Sequence, residues 1–133
     1  MAGERNLGSL LQLMQPVLHP DIYVFATVDS GFECGGLAPR MTFEEVEGKT
    51  LVLLQETATA HGIPHEFPSR MITLNVHSAL DAVGFIAAIA TKLAGLGMGV
   101  NPVAAFHHDH LFIPADRADD AMQALTDLSN NQI

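Results

Sequence analysis

The second half of the chain changes its hydrophobic period in a fixed order, and that order leaves few folds open. "MITLNV" (71–76) is branched and apolar like a strand, and "SALDAVGFIAAIATKLAGLG" (78–97) carries apolar residues at helical spacing to a stop at Gly97 or Gly99. "VNPVAAF" (100–106) and "HLFI" (110–113) read as two more strands, and "DRADDAMQALTDL" (116–128) sets Ala118, Ala121, Met122, Leu125 and Leu128 on one helical face. The order β-α-β-β-α is that of a split βαβ unit of the ferredoxin-like kind, completed by a strand from elsewhere.

The first half gives a weaker version of the same order. Leu7, Leu10, Leu11 and Met14 predict a short amphipathic helix running up to Pro16. "DIYVFATV" (21–28) reads as a strand, "MTFEEVEGKTLVLL" (41–54) as two strands joined at Gly48-Lys49, and a short helix follows from about Gln55 until Gly62 and Pro64 end it. The intervening "DSGFECGGLAPR" (29–40) is glycine-rich and aperiodic, a loop whose length suits a mobile flap. Displacing the chain by sixty positions lays "LVLLQETA" (51–58) over "LFIPADRA" (111–118) and "TFEEVE" over "PVAAFH", an internal echo of strand-to-helix on strand-to-helix. The expected fold is therefore α+β: ferredoxin-like βαββα units in tandem, antiparallel sheets with helices packed on one face, the first unit degenerate. Residues 1–66 and 67–133 form the two units, interlocked as one compact domain.

One predicted helix is too apolar to be half exposed. Val83, Ile86, Ala87, Ala90, Leu93 and Ala94 form a main face, with Phe85, Ile89 and Leu96 beside it, more than the roughly 100° stripe one sheet covers. The first unit or a second chain must cover the remainder. Hydrophobic residues make up 48% of the chain and charged ones 16%, a balance that favours self-association, and a homodimer is expected.

The net charge of −9, six Lys and Arg against fifteen Asp and Glu, argues against nucleic acid as a partner. Cys34 is the only cysteine, which excludes an internal disulfide framework and any multi-cysteine metal site. The opening "MAGERNLGSLLQLMQPVL" breaks its apolar run at Gln12, Gln15 and Pro16, unlike a signal peptide, and no stretch is continuous enough to span a membrane. The expectation is a soluble, cytoplasmic chain.

The strand, "VHSALDAVG", the apolar helix, its glycine stop, the next strand and "HHDHLFIP" fall in one pattern, preceded by "YVFATV" and "EGKTLVL". In that pattern the chain resembles a family of small bacterial proteins built from tandem ACT domains. The resemblance implies a regulatory, non-catalytic module that binds a small ligand, most often an amino acid, at the loop between first strand and first helix and at interfaces between units. In this chain that loop holds His77, Ser78, Leu80, Asp81, Val83 and Gly84. Val83 precedes Gly84 where the usual ACT loop has a Pro-Gly pair.

The residues themselves point to the same loop. Ser78 and Asp81 have the spacing of a capping box, worth about 0.5–2 kcal/mol to a helix starting there. The free N–H groups of such a helix start attract a carboxylate, and Asp81 is suited to an ammonium. Gly84 lets a ligand approach the first turn, and Asn101 on the next strand is a further side-chain contact. "FHHDH" (106–110) is the densest histidine cluster, but neighbours on a strand point to opposite faces and cannot all ligate one ion. It is expected to form a polar hairpin turn, with no metal and no cofactor. No nucleophile, base and orienting group fall into a recognisable pattern, so catalysis is not expected. The competing reading is a dimerisation or partner-docking domain with a vestigial pocket.

Overall fold

The computed structural model describes residues 3–131. The elements in chain order are α1 (Leu7–Leu13), β1 (Gln15–Leu18), β2 (Tyr23–Val28), β3 (Met41–Glu45), β4 (Gly48–Leu54), α2 (Gln55–Ala60), β5 (Glu66–Asn75), α3 (Phe85–Ala94), β6 (Asn101–Ala104), β7 (Asp109–Pro114) and, after a 3-10 turn at Ala115–Arg117, α4 (Ala118–Asn131). By contacts the chain divides into Asp21–Ser69 and a second unit made of residues up to Pro20 together with Arg70 onward. By these contacts the first twenty residues group with the second half.

The smaller unit is an antiparallel sheet in the order β3-β4-β2-β5, using the first residues of β5. Alternation decides its core: Val24 and Ala26 of β2 lie opposite Leu53 and Leu51 of β4, and all four are buried with Leu37, Ala58 and Ile63. The turn between β3 and β4 falls at Val46-Glu47, just ahead of the expected Gly48-Lys49. Gly48 opens β4 instead, at φ 151°, where a Cβ would sit 2.6 Å from the Val28 carbonyl oxygen. Where a complete unit has its crossover helix, residues 29–40 form a loop. Leu37 buries itself in the core, Cys34 half so, and Lys49 Nζ donates to the Phe32 carbonyl at 3.3 Å.

The larger unit has the sheet order β1-β5-β7-β6. The completing strand is β1, which pairs antiparallel with β5 from Gln15↔Asn75 to Leu18↔Ile72. Pro16 therefore lies inside a strand rather than ending the preceding helix. Both edge strands carry a proline, Pro16 and Pro102, which an edge tolerates because it donates to one side only. Ile72 and Leu74 of β5 and Leu111 and Ile113 of β7 form the covered face, and α1, α3 and α4 lie on it through Leu10, Leu11, Phe85, Ile89, Leu93, Ala121 and Leu125.

Two expectations for α3 are corrected. The helix begins at Phe85 with Gly84 as its N-cap, six residues later than the N-cap at Ser78 that the "SALD" pattern indicates. Its core face is Phe85, Ile89 and Leu93, and the helices and sheet of the same unit bury it, so Phe85 and Ile89 are not left for a partner. Val83, placed on the main apolar face, precedes the helix and is 84% exposed. Asn6 caps α1, its side chain accepting from the Ser9 N–H at 2.9 Å. No helix among the described residues is long and apolar enough to cross a membrane.

Candidate functional site

Nine positions, 76–84, separate β5 from α3, and long-range contacts shape them. Glu4 runs parallel to Ser78: its N–H donates to the His77 carbonyl and its carbonyl accepts from the Ala79 N–H, both at 2.8 Å. Gly3 lies so close that a Cβ there would meet the Ala79 nitrogen at 2.6 Å. With its backbone held on both sides, Ser78 turns its hydroxyl across the unit and donates to Asp109 Oδ2 at 3.1 Å. The capping-box assignment of Ser78 and Asp81 is therefore overturned. The N-cap of α3 is Gly84, in the left-handed region at φ 93°, and no side chain caps the helix.

The loop folds around a hollow of about 200 Å3. Of the residues expected at the site, Ser78, Leu80 and Gly84 line it. The remaining wall comes from the first turn of α3, Phe85 to Ala87, from Ala79 and Ala82, and from Ala104 and Asp109 of the β6–β7 hairpin. Leu80 stands at its edge, 69% exposed. Asp81 does not line the hollow: the Arg5 guanidinium grips it at 2.9 and 3.2 Å on the surface and, by that hydrogen bond, holds its carboxyl below the ordinary value of 3.8. Val83 and Asn101 are exposed outside it, and His77 stacks obliquely on His107 and Phe106 at centroid distances of 5.4 and 6.2 Å. In the sequence Asp109 stands only as one member of a turn motif.

The hairpin expected at "FHHDH" is present, its turn closed by the Ala105 N–H donating to the His108 carbonyl at 3.0 Å. Asp109 and His110 already belong to β7 and point to opposite faces, as alternation requires. Asp109 meets Ser78, while His110 Nδ1 shares the Thr73 hydroxyl, 2.9 Å away, with His19 Nε2 at 2.8 Å. Among the described residues no three His, Cys, Asp or Glu side chains are grouped to hold a metal ion. The smaller unit has a wider hollow of about 420 Å3 under its long loop, bordered by Thr27, Phe32, Glu33, Leu37, His61 and Ile63.

Two family models, each described as an ACT domain, match residues 2–70 and 66–127. The chain belongs to the ACT-domain family. No curated protein matches it. Among solved structures, a Vibrio cholerae protein of unknown function, described as a possible transport protein, is 44% identical over 92% of this ACT chain and 95% of its own, with a TM-score of 0.85. The ligand-free regulatory subunit of aspartate kinase from Thermus thermophilus is 14% identical, covers 87% of this chain and 96% of its own, and has a TM-score of 0.64. Its counterpart from Thermus flavus is also 14% identical, covers 95% and 97%, and scores 0.60. Those two likenesses establish a shared fold of tandem ACT units.

Proposed function

We propose that this chain is a non-catalytic regulatory module that binds a small molecule of the amino-acid class in the larger unit, in the hollow between the loop 77–84, the start of α3 and the β6–β7 hairpin. The observation that carries this reading is the uncapped start of α3 on the wall of that hollow. The first N–H groups of a helix lack intrahelical partners and sit at the positive end of its dipole, so with no side chain capping them they suit a ligand carboxylate. At about 200 Å3 the space lies below the roughly 300–1,000 Å3 of drug-sized pockets, which suits a ligand no larger than an amino acid. The family and the likeness to aspartate kinase regulatory subunits support regulation over catalysis. We further propose a cytoplasmic homodimer, for which Leu80, Val83 and Phe106, exposed on this unit, supply apolar surface. Thermal shift against the twenty amino acids tests the binding reading: a ligand at 100 times its dissociation constant stabilises by about 2.7 kcal/mol. No shift from any of them turns the choice to the docking-domain reading.

A further inference from the structure

Residues 3–6 lie along the loop 77–81 and hold it by backbone bonds, an ion pair and close packing. The Glu4 N–H donates to the His77 carbonyl and the Ala79 N–H to the Glu4 carbonyl, both at 2.8 Å, in an isolated parallel bridge. The Arg5 guanidinium holds both oxygens of Asp81, at 2.9 and 3.2 Å. Gly3 approaches so closely that a Cβ would lie 2.6 Å from the Ala79 nitrogen and from the Ser78 carbonyl carbon. The Glu4 carboxylate accepts from the Arg5 and Asn6 N–H groups at 2.9 Å each, which shapes the turn from this segment into α1.

These contacts lie outside the core. The Arg5 and Asp81 side chains are 61% and 70% exposed, so their ion pair contributes little and salt screens it. Two backbone bonds make a latch far weaker than the packing of α1, whose Leu10 and Leu11 are buried. The latched stretch is also a wall, because Ser78, Ala79 and Leu80 line the hollow beside α3. We infer that residues 3–6 are a strap that parts from the loop as one unit while α1 stays packed, and that its position is coupled to occupancy of the hollow. With the strap closed, Glu4 fixes the backbone around Ser78 from one side and Asp109 fixes its hydroxyl from the other. Parting removes the first hold and lets the wall yield. The coupling rests on the small-molecule reading above, whereas the strap itself does not. A ligand seated against the closed wall tightens the strap, and by linkage whatever draws residues 3–6 away weakens the ligand.

The test is amide hydrogen exchange followed by NMR on the full chain. The Glu4 and Ala79 amides should share one protection factor, since a single opening breaks both bonds, and it should lie well below that of the Met14 amide, bonded to the Leu10 carbonyl in α1. Arg5→Gln should lower both factors together by about two- to fivefold, the range for an exposed ion pair, and leave Met14 unchanged. Added salt should do the same to the parent chain and nothing further to Arg5→Gln. Gly3→Ala, whose Cβ would meet the loop backbone, should hold the strap open: both amides lose roughly tenfold or more while Met14 and the amides of β5 and β7 keep their protection. Unequal factors for Glu4 and Ala79, or loss at Met14 in step with them, overturn the strap as a separate unit. For the coupling, the twenty amino acids are added in turn, and one that raises the thermal midpoint must also raise both factors. Binding that leaves them unchanged overturns the coupling but not the strap. Failure of all twenty to bind removes the small-molecule reading and the coupling with it, while the exchange results still decide the strap.

Discussion

Replacing Leu10 by alanine tests the feature of this fold least expected from the order of its elements, the presence of α1 in the core of the larger unit. Leu10 is fully buried there, in one cluster with Ile72, Leu74, Ile89 and Leu125, whereas Leu13 on the same helix is 59% exposed. Truncating a fully buried leucine loses transfer free energy and leaves a cavity, together about 3 kcal/mol. For a unit of this size each kcal/mol lowers the thermal midpoint by about 4–8 °C, so Leu10→Ala should lower it by about 12–24 °C. Leu13→Ala removes the same atoms from the surface and should cost no more than about 0.5 kcal/mol. Scanning calorimetry of both variants gives the comparison, and hydrogen exchange locates it, with protection lost in the second half of β5, in α3 and in α4 rather than in residues 21–69. Equal midpoints for the two variants, or faster exchange confined to β2–β4, would refute the packing of α1 described above.

Gly48→Ala should destabilise the smaller unit by about 1–3 kcal/mol in urea unfolding, because a Cβ would meet the Val28 carbonyl and the φ of 151° is strained for any other residue. Glu4 accepts hydrogen bonds from the N–H groups of Asn6 and Arg5, which hold its pKa below the ordinary 4.5. A lowered carboxyl pKa stabilises the fold above the unfolded value and ceases to do so as pH falls through the folded one, so the difference in thermal midpoint between Glu4→Gln and the parent chain should be full at pH 6 and shrink as the pH is taken below the ordinary 4.5. Thr73→Val should cost about 1–3 kcal/mol by leaving ring nitrogens of half-buried His19 and His110 without their shared hydroxyl, and nitrogen NMR should show both tautomer populations change. Asp81→Asn should leave the affinity of any amino acid that binds unchanged, since the residue faces Arg5 outside the hollow; a tenfold loss in calorimetry would return it to the site.

Much of the fold was legible because periodicity is local. The strands β2, β4, β5 and β7 and the faces of α1 and α4 follow from residues that alternate or recur within their own segments. The sixty-residue echo is matched by structure, since β4 into α2 and β7 into α4 are the same step taken twice. What escaped was non-local. Nothing within "QPVL" marks a strand, because a proline-bearing edge strand of four residues takes its conformation from its neighbour, here the ladder to β5 from Ile72 to Asn75.

The misplacement of the start of α3 shows why the site was only half legible. "SALD" satisfies the local rule for a helix start, and Ala79 to Val83 offer no strong breaker, so propensity alone begins the helix at Ser78. Three longer-range facts oppose it. Glu4 takes the backbone donor of Ala79 and the acceptor of His77 on either side of Ser78, Asp109 takes the Ser78 hydroxyl that would have capped the helix, and Arg5 holds Asp81 on the surface. An isolated Gly84 inside a helical pattern was the one local sign, because glycine there is costly unless the backbone needs a positive φ, and at 93° it does. The displacement has a chemical consequence. A helix starting at Ser78 would have been capped by its own side chain and paired with Asp81, which is in the open; starting at Gly84 it is uncapped and stands on the wall that carries Asp109, 31 residues on from Ser78. The uncapped helix start and Asp109 thus share one hollow because the local capping signal lost to tertiary contacts.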